Sequence, residues 1–196
     1  MKIKLNGVRI AFAKLFVAQR IGSDPTSKPN YGAAFVIPPK DPVVKELDAA
    51  LVTLAKEKWK DKAATTLQLL IDQGRVCFLH RPKVNSSGEV YDGFEGMFHL
   101  NSSRGEDKGR PLVIDQTKSP LTQADGKPYS GCYVNATVEL WAQDNSFGRR
   151  INATLLAVQF VRDGDAFTGG SAPSADDFDD IADGAQAGDV GADDLA

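Results

Sequence analysis

Several aromatic side chains in the sequence lie within a few residues of arginine or lysine. Cations can neutralise phosphates while planar rings stack on exposed bases, so this combination suits a single strand of nucleic acid. Stacking contributes about 1–3 kcal/mol per base and accepts any base, because every base has a π-face. The candidate stacking residues are Phe94, Phe98, Tyr129, Tyr133 and Phe147, and the candidate phosphate-contacting residues are Arg104, Lys108, Arg110, Lys118, Arg149 and Arg150.

Each of these rings also has an ordinary structural interpretation. An aromatic residue in an alternating strand more often fills the core than offers a platform to a ligand. Phe147 differs, because it precedes Gly148 and two arginines in a turn, where there is little core to fill. Lysines alternate through residues 56–62, and we interpret them as the solvated face of a helix.

The sequence lacks the signatures of common enzymes. It has no GxxxxGK loop, no GxGxxG after a strand, no HExxH and no GxSxG. Its two cysteines and two histidines are too few for a disulfide framework or most metal sites. We therefore expect no catalytic activity, no cofactor and no metal. A nuclease would need Asp92, Glu95 and Asp115 to converge on a metal ion, and nothing in the sequence requires that.

Acidic residues are concentrated at the C-terminal end of the sequence. Residues 169–196 contain eight aspartates and no lysine or arginine, which leaves residues 1–168 with a charge of +5. This split indicates a polyanion-binding body with a tethered competitor, and a solubilising tail on a body that binds nothing fits it equally well. Too few large apolar residues are present to order the tail, so we expect disorder. The tail residues of interest are Asp176, Asp177, Phe178, Asp179, Asp180, Asp193 and Asp194.

The elements that must position the candidate residues are mainly strands. Apolar and polar residues alternate in several stretches, and Gly7 breaks the phase of the first one, as a β-bulge does. A polar loop is expected at 101–111. The predicted strands lie within residues 1–37, 94–100, 112–114, 133–141 and 151–161.

One helical insertion is predicted at about residues 41–73. Asp41 suits the N-cap and Pro42 the first helical position. The apolar stripe that follows, at spacings of three and four, consists of Val44, Leu47, Leu51 and Leu54. Short strands, regular turns and one helical insertion predict a mainly β domain built as a small barrel, not a parallel α/β sheet.

Six segments together resemble one protein family. They are LFVAQ, NYGAAFVIPPKD, NSSRGEDKGRPLVID, YSGCYVNATVELWAQDN, LLAVQFVRDGDAF and the acidic ADDFDD. In these segments the chain resembles the tailed-phage single-stranded-DNA-binding proteins that are similar to the T7-type replication protein. The resemblance covers essentially the whole chain.

The resemblance implies a fold, a function and partners. The fold is an OB-fold-like barrel over residues 1–168 with a disordered acidic tail over residues 169–196. The function is sequence-independent binding of single-stranded DNA in phage DNA replication or recombination, in the cytoplasm of the infected bacterial host. The tail would recruit a polymerase or helicase. Such tails often end in an aromatic residue, whereas this one ends in Asp-Asp-Leu-Ala, so Phe178 or Leu195 would take that role.

A second interpretation stays open from the residues alone. The chain could be a protein-interaction or assembly module that does not bind nucleic acid. No apolar run approaches the ~18 residues of a membrane helix, so we expect no membrane association.

Overall fold

The computed structural model describes residues 1–20 and 28–167. The strands are β1 (Lys2–Gln19), β2 (Asn30–Ile37), β3 (Phe78–Leu79), β4 (Phe98–Gly105), β5 (Leu112–Ile114), β6 (Tyr133–Asn145) and β7 (Gly148–Arg162). The helices are α1 (Val43–Trp59) and α2 (Ala63–Asp72), with a 3₁₀ turn at Lys60–Lys62 between them. The predicted tail lies outside the described residues, including Asp176, Asp177, Phe178, Asp179, Asp180, Asp193 and Asp194.

Five strands form a closed ring. They follow the order β4-β2-β1-β6-β7 with antiparallel neighbours, and β4 also pairs in parallel with β7 at Ser103 and Thr154. Because this pairing joins the two ends of the order, the ring has the topology of a five-stranded Greek-key barrel. Strand β3 adds to β4, and β5 adds to β7. The prediction of a mainly β domain with one helical insertion is confirmed.

The core lies inside this ring, where alternate residues of each strand meet. On β1 the inward residues Leu5 and Ile10 are fully buried. They stay on the same face although their spacing is odd, because the pairing with β6 shifts register between Leu5 and Val8. Gly7 sits in that irregularity at φ +62°, a conformation that glycine adopts without steric cost. The predicted break of phase at Gly7 is therefore confirmed.

The helical insertion follows the predicted limits, with an interruption. The carboxylate of Asp41 accepts a hydrogen bond from the backbone N–H of Val43 (2.9 Å), as an N-capping side chain does. The predicted apolar stripe of α1 is buried. Lys60 follows the last residue of α1 with a positive φ of +48°, and α2 begins at Ala63. No helix within the described residues is long and apolar enough to cross a membrane.

The predicted polar loop at 101–111 is wrong in its first half. Strand β4 runs through Phe98–Gly105 and pairs with β2 along its whole length. Residues 94–97 form turns instead of the predicted start of the strand. The strand was predicted as a loop because β4 is polar even where it is buried. The Ser102 hydroxyl, for example, is buried and donates to the carbonyl of Ala33 (3.1 Å).

Gly131→Ala should destabilise the domain by about 3 kcal/mol, because a strained backbone conformation and a steric overlap combine. Gly131 has φ +109°, and a Cβ there would overlap the carbonyl oxygen of Asp165. The control is Gly126→Ala, at φ +65° with no atom within 4 Å of the added Cβ. It should lose only the backbone term of about 1–2 kcal/mol. The free energy of unfolding from chemical denaturation measures both, and equal losses would contradict the close approach at Gly131.

Candidate functional site

A cavity of about 480 Å³ opens on one side of the barrel. It is lined by β1, β2, β4 and β7 and by the segment that follows α2. Two aromatic rings, Phe12 and Tyr91, lie on its wall. Its cationic side chains are Lys14, Arg75, Lys83 and Arg150.

A second cavity, of about 260 Å³, continues the first one. The two share Ser103, Asn152 and Ala153, so they form one channel along the junction of β4 and β7, which we call the basic groove. The second cavity adds Arg104, Lys108 and Trp141. Among the described residues, six cations line the basic groove and no aspartate or glutamate does. Such a groove has a positive potential and attracts polyanions.

Phe12 is turned into the basic groove by an irregularity of the backbone. The register between β1 and β2 shifts between Ala11 and Lys14, and Phe12 has φ +51°. A bulky residue in this region costs about 1–3 kcal/mol, and such strain concentrates at ligand-binding sites. The ring is 37 % exposed and packs edge-on against Tyr91, with 4.8 Å between centroids. The pair forms an aromatic platform at one end of the groove.

Lys83 places a partly buried cation beside this platform. Its Nζ lies 5.6 Å from the centroid of the Phe12 ring and donates to Oδ1 of Asn101 (2.9 Å). Burial lowers the pKa of the Lys83 ammonium, because a desolvated charge is less favourable. No carboxylate in the described part of the chain pairs with it. A phosphate group would supply the opposite charge that this site lacks.

The tip of the β6–β7 hairpin is fixed beside the groove by contacts on both sides of its turn. The carboxylate of Asp144 accepts from Nε1 of Trp59 (2.8 Å) and forms an ion pair with Arg149 (3.2 Å). Nη2 of Arg75 donates to the carbonyl of Phe147 (3.2 Å). The Phe147 ring is 83 % exposed at the tip. A planar ring is thus held next to a groove cation, facing solvent.

Three of the six predicted cations line the basic groove: Arg104, Lys108 and Arg150. The guanidinium of Arg104 is oriented by the carbonyls of Gly109 (2.8 Å) and Lys108 (2.7 Å). These neutral acceptors hold the side chain and leave its charge uncompensated.

The other three predicted cations lie outside the groove. Arg149 is paired with Asp144, and Arg110 lies over the ring of Phe16 at 6.0 Å. Lys118 belongs to a turn organised by Asp115. The structure therefore brings together only half of the predicted cations.

Phe94 was predicted to stack on a base, and its position contradicts that prediction. Its ring is 1 % exposed and packs in a small core cluster with Ala11, Ala34 and Val36. A buried ring offers no face to a base. Phe94 was a candidate because it precedes a loop with several cations, but in the structure it lies in a turn before β4 and its ring is buried.

The remaining predicted rings lie elsewhere on the barrel. Phe98 is half-buried and stacks on the His80 imidazole, with centroids 4.4 Å apart. The Tyr129 hydroxyl donates to the carboxylate of Asp163 (3.0 Å). Hydrogen bonds from Lys127 and Tyr129 lower the pKa of the Asp163 carboxyl. Tyr133 contacts two arginines on the outer face of the sheet.

Sequence reasoning missed the residues that form most of the groove. They are Phe12, Lys14, Arg75, Lys83, Tyr91 and Trp141. Phe12 followed the strand alternation of Val8 and Ile10, which predicted that it faces the core. Only the register shift between Ala11 and Lys14 turns its side chain away from the core, and no glycine in the sequence marks that shift. Trp141 ended an alternating strand among polar residues, which was the one available signal.

Of the carboxylates that a nuclease would need, Asp115 organises a turn. Oδ1 of Asp115 accepts from the backbone N–H groups of Thr117 and Ser119 (both 2.8 Å). A hydrogen bond from the Thr117 hydroxyl (2.7 Å), together with these backbone bonds, lowers the pKa of the Asp115 carboxyl. Within residues 1–20 and 28–167, no three His, Cys, Asp or Glu side chains are grouped to hold a metal ion.

The chain thus folds as a small five-stranded barrel that carries a cationic, aromatic-lined groove. Comparisons with known proteins identify its family. A family model described as the ssDNA-binding protein of Enterobacter phage Enc34 matches residues 1–190. The chain belongs to this family. A relative described as putative protein p50, from Acyrthosiphon pisum secondary endosymbiont phage 1, is 43 % identical over 182 residues, covering 92 % of this chain and 94 % of the relative.

Solved structures share the fold. The single-stranded DNA-binding protein of bacteriophage Enc34, solved in complex with ssDNA, aligns with a TM-score of 0.67 and 23 % identity, covering 85 % of this chain and 89 % of the other. The single-stranded DNA-binding protein gp2.5 of bacteriophage T7 aligns with a TM-score of 0.54 and 16 % identity, covering 92 % and 96 %. The family resemblance predicted from the sequence is confirmed.

Phe94→Ala should lower the free energy of unfolding by about 3–5 kcal/mol, because it leaves a cavity in the core. Phe147→Ala removes an equal number of atoms from an exposed tip and should change stability by less than about 0.5 kcal/mol. Denaturant titration of both variants measures the difference. A small loss for Phe94→Ala would show that its ring is not part of the packed core.

Proposed function

We propose that this chain is a non-enzymatic protein that binds single-stranded DNA in the basic groove. The observation that carries the proposal is the composition of the groove. Six cations line it, no carboxylate among the described residues does, and exposed rings lie at both ends. The family points the same way, since its named member is an ssDNA-binding protein. In this reading, phosphates are neutralised along the groove while bases stack at its ends.

The rings explain why a single strand is preferred. The platform of Phe12 and Tyr91 lies at one end, and Trp141, 41 % exposed, lies at the other. Phe147 projects from the hairpin beside Arg75. Only unpaired bases can stack on such rings, and every base can, so binding is tolerant of sequence.

Cations inside and outside the groove have different roles in this proposal. Those in the groove contact phosphates directly, among them the predicted Arg104, Lys108 and Arg150. The exposed cations outside it, Arg110 and Lys118, contribute long-range attraction instead, whereas the charge of Arg149 is paired with Asp144. The biological setting is phage DNA replication or recombination in the cytoplasm of the infected host.

A titration of labelled oligonucleotides tests the proposal. Single-stranded DNA should bind more tightly than duplex, with a slope of log K against log salt of about −0.7 for each neutralised phosphate. Lys83→Ala should make this slope shallower by about 0.7, whereas Lys45→Ala, an exposed lysine on α1, should leave it unchanged. Fluorescence anisotropy at several salt concentrations measures both quantities.

Two results would count against this function. A flat salt response, or duplex bound as tightly as single strand under all conditions, would remove the basis for a single-strand site. Absence of binding would favour the alternative of a protein-interaction module whose acidic tail recruits a partner.

The acidic tail is proposed to compete for the groove and to recruit a polymerase or helicase. Phe167, the last described residue, shares a cavity with Phe12 and Tyr91. The last described residue therefore lies close to one end of the groove, and the eight aspartates that follow it in the sequence oppose a body of charge +5. Individual contacts between exposed charges are weak, at about 0–1 kcal/mol, so DNA can displace the tail and leave it free for a partner.

Deletion of residues 169–196 should tighten DNA binding several-fold at low salt, because it removes the intramolecular competitor. The gain should shrink as salt rises and screens the competing charges. Parallel titrations of the full chain and of residues 1–168 at low and moderate salt measure the effect. Equal affinities at low salt would rule out competition and leave the tail with a docking or solubility role.

A further inference from the structure

A row of cationic and aromatic side chains lies on the outer face of the barrel, outside the basic groove. Arg9 on β1, Tyr133 on β6 and Arg162 on β7 occupy paired positions on three neighbouring strands. The Arg162 guanidinium lies 3.3 Å from the centroid of the Tyr133 ring, and that of Arg9 lies 5.8 Å from it. We call these three residues the outer arginine row.

Arg162 is the member of the row that is available to a ligand. It is exposed, and the one hydrogen bond of its side chain to a described residue is a long one to the carbonyl of Asp163 (3.5 Å). The carboxylate of Asp163 is instead held by Lys127 (3.0 Å) and Tyr129 (3.0 Å). The charge of Arg162 is thus not cancelled by a described carboxylate. Because one face of its guanidinium lies against Tyr133, the opposite face is a flat, preoriented cation.

Arg9 has a different role, because its side chain is already engaged. Its Nε donates to the carbonyl of Gly131 (2.9 Å), and a guanidinium nitrogen donates to the carbonyl of Asp165. Both acceptors are neutral, so Arg9 adds positive charge to the row while holding the chain that follows β7 in place.

The row continues the line of the basic groove. A third cavity, of about 70 Å³, is lined by the platform residues Phe12 and Tyr91 and by Phe167. The Arg9 guanidinium lies 4.1 Å from the centroid of the Phe167 ring. Adjacent contacts therefore lead from the platform at the end of the groove, across Phe167 and Arg9, to Tyr133 and Arg162.

We infer that the outer arginine row is a second contact site for the same strand of DNA, reached after the strand leaves the groove past Phe12 and Tyr91. A base stacks on the free face of Arg162, as bases do on guanidinium planes, and Arg9 and Arg162 attract the adjoining phosphates. This inference rests on the proposed function. It assigns to Arg162 a binding role that depends on the length of the strand.

The test uses the full chain and a ladder of oligothymidylates of increasing length. Arg162→Ala should leave the affinity for short oligomers unchanged and lower it by about tenfold above a threshold length, since one stacking contact is lost. Arg110→Ala is the matched control, because it removes an exposed arginine near the ring of Phe16, away from the row. It should show no threshold. Melting temperatures establish that each variant is folded.

Arg162→Lys separates stacking from charge. Lysine keeps the positive charge but has no planar face. Relative to Arg162→Ala, it should therefore restore the salt dependence of binding to long oligomers. It should recover less than half of the loss in log K. Full restoration by lysine would overturn the stacking contact. A loss for Arg162→Ala that is equal at every length, or no loss at any length, would overturn the second site. If the wild-type chain bound no oligomer of any length, the proposed function itself would fail.

Discussion

The parallel pairing of β4 with β7 at Ser103 and Thr154 is the contact on which the site depends. It closes the strand order into a ring, and so removes two exposed sheet edges. It also places the polar outer residues of β4 next to Asn152 and Ala153 of β7. Both cavities share these residues, so the groove exists only because the ring closes there. The same strand pairing therefore closes the barrel and forms the groove.

The groove is lined by cations that neutral groups hold in place. The guanidinium of Arg104 is oriented by two backbone carbonyls, Arg75 by the carbonyl of Phe147, and Lys83 by the side-chain amide of Asn101. These bonds restrict the side chains without cancelling their charge. Outside the groove, by contrast, Arg149 and Lys127 each form an ion pair with a carboxylate. Restricting a cation in advance reduces the entropy lost when a phosphate binds.

The parts of the fold that could be predicted from the sequence are those that local patterns determine. The stripe of α1, the cap at Asp41 and the bulge at Gly7 each depend on residues close in the chain. The groove does not, because Phe12 and Tyr91 meet only after strands distant in sequence have paired. The prediction for Phe94 was wrong for a related reason. The residues around an aromatic next to a strand do not show which way its side chain points. Exposure of Phe147 could be predicted, because a turn of glycine and arginine offers no core.

The backbone at Phe12 shows how the fold and the site are linked. A phenylalanine at φ +51° is less stable than one in a regular strand, and the rest of the barrel must hold it there. The ladders of β1 with β2 and with β6 supply that restraint on either side of the irregularity. Without the bulge, the alternation of β1 would direct the ring toward the core and leave Tyr91 without its aromatic partner. The local strain is therefore the structural condition for an exposed platform on a strand whose neighbouring residues, Ala11 and Leu15, are buried.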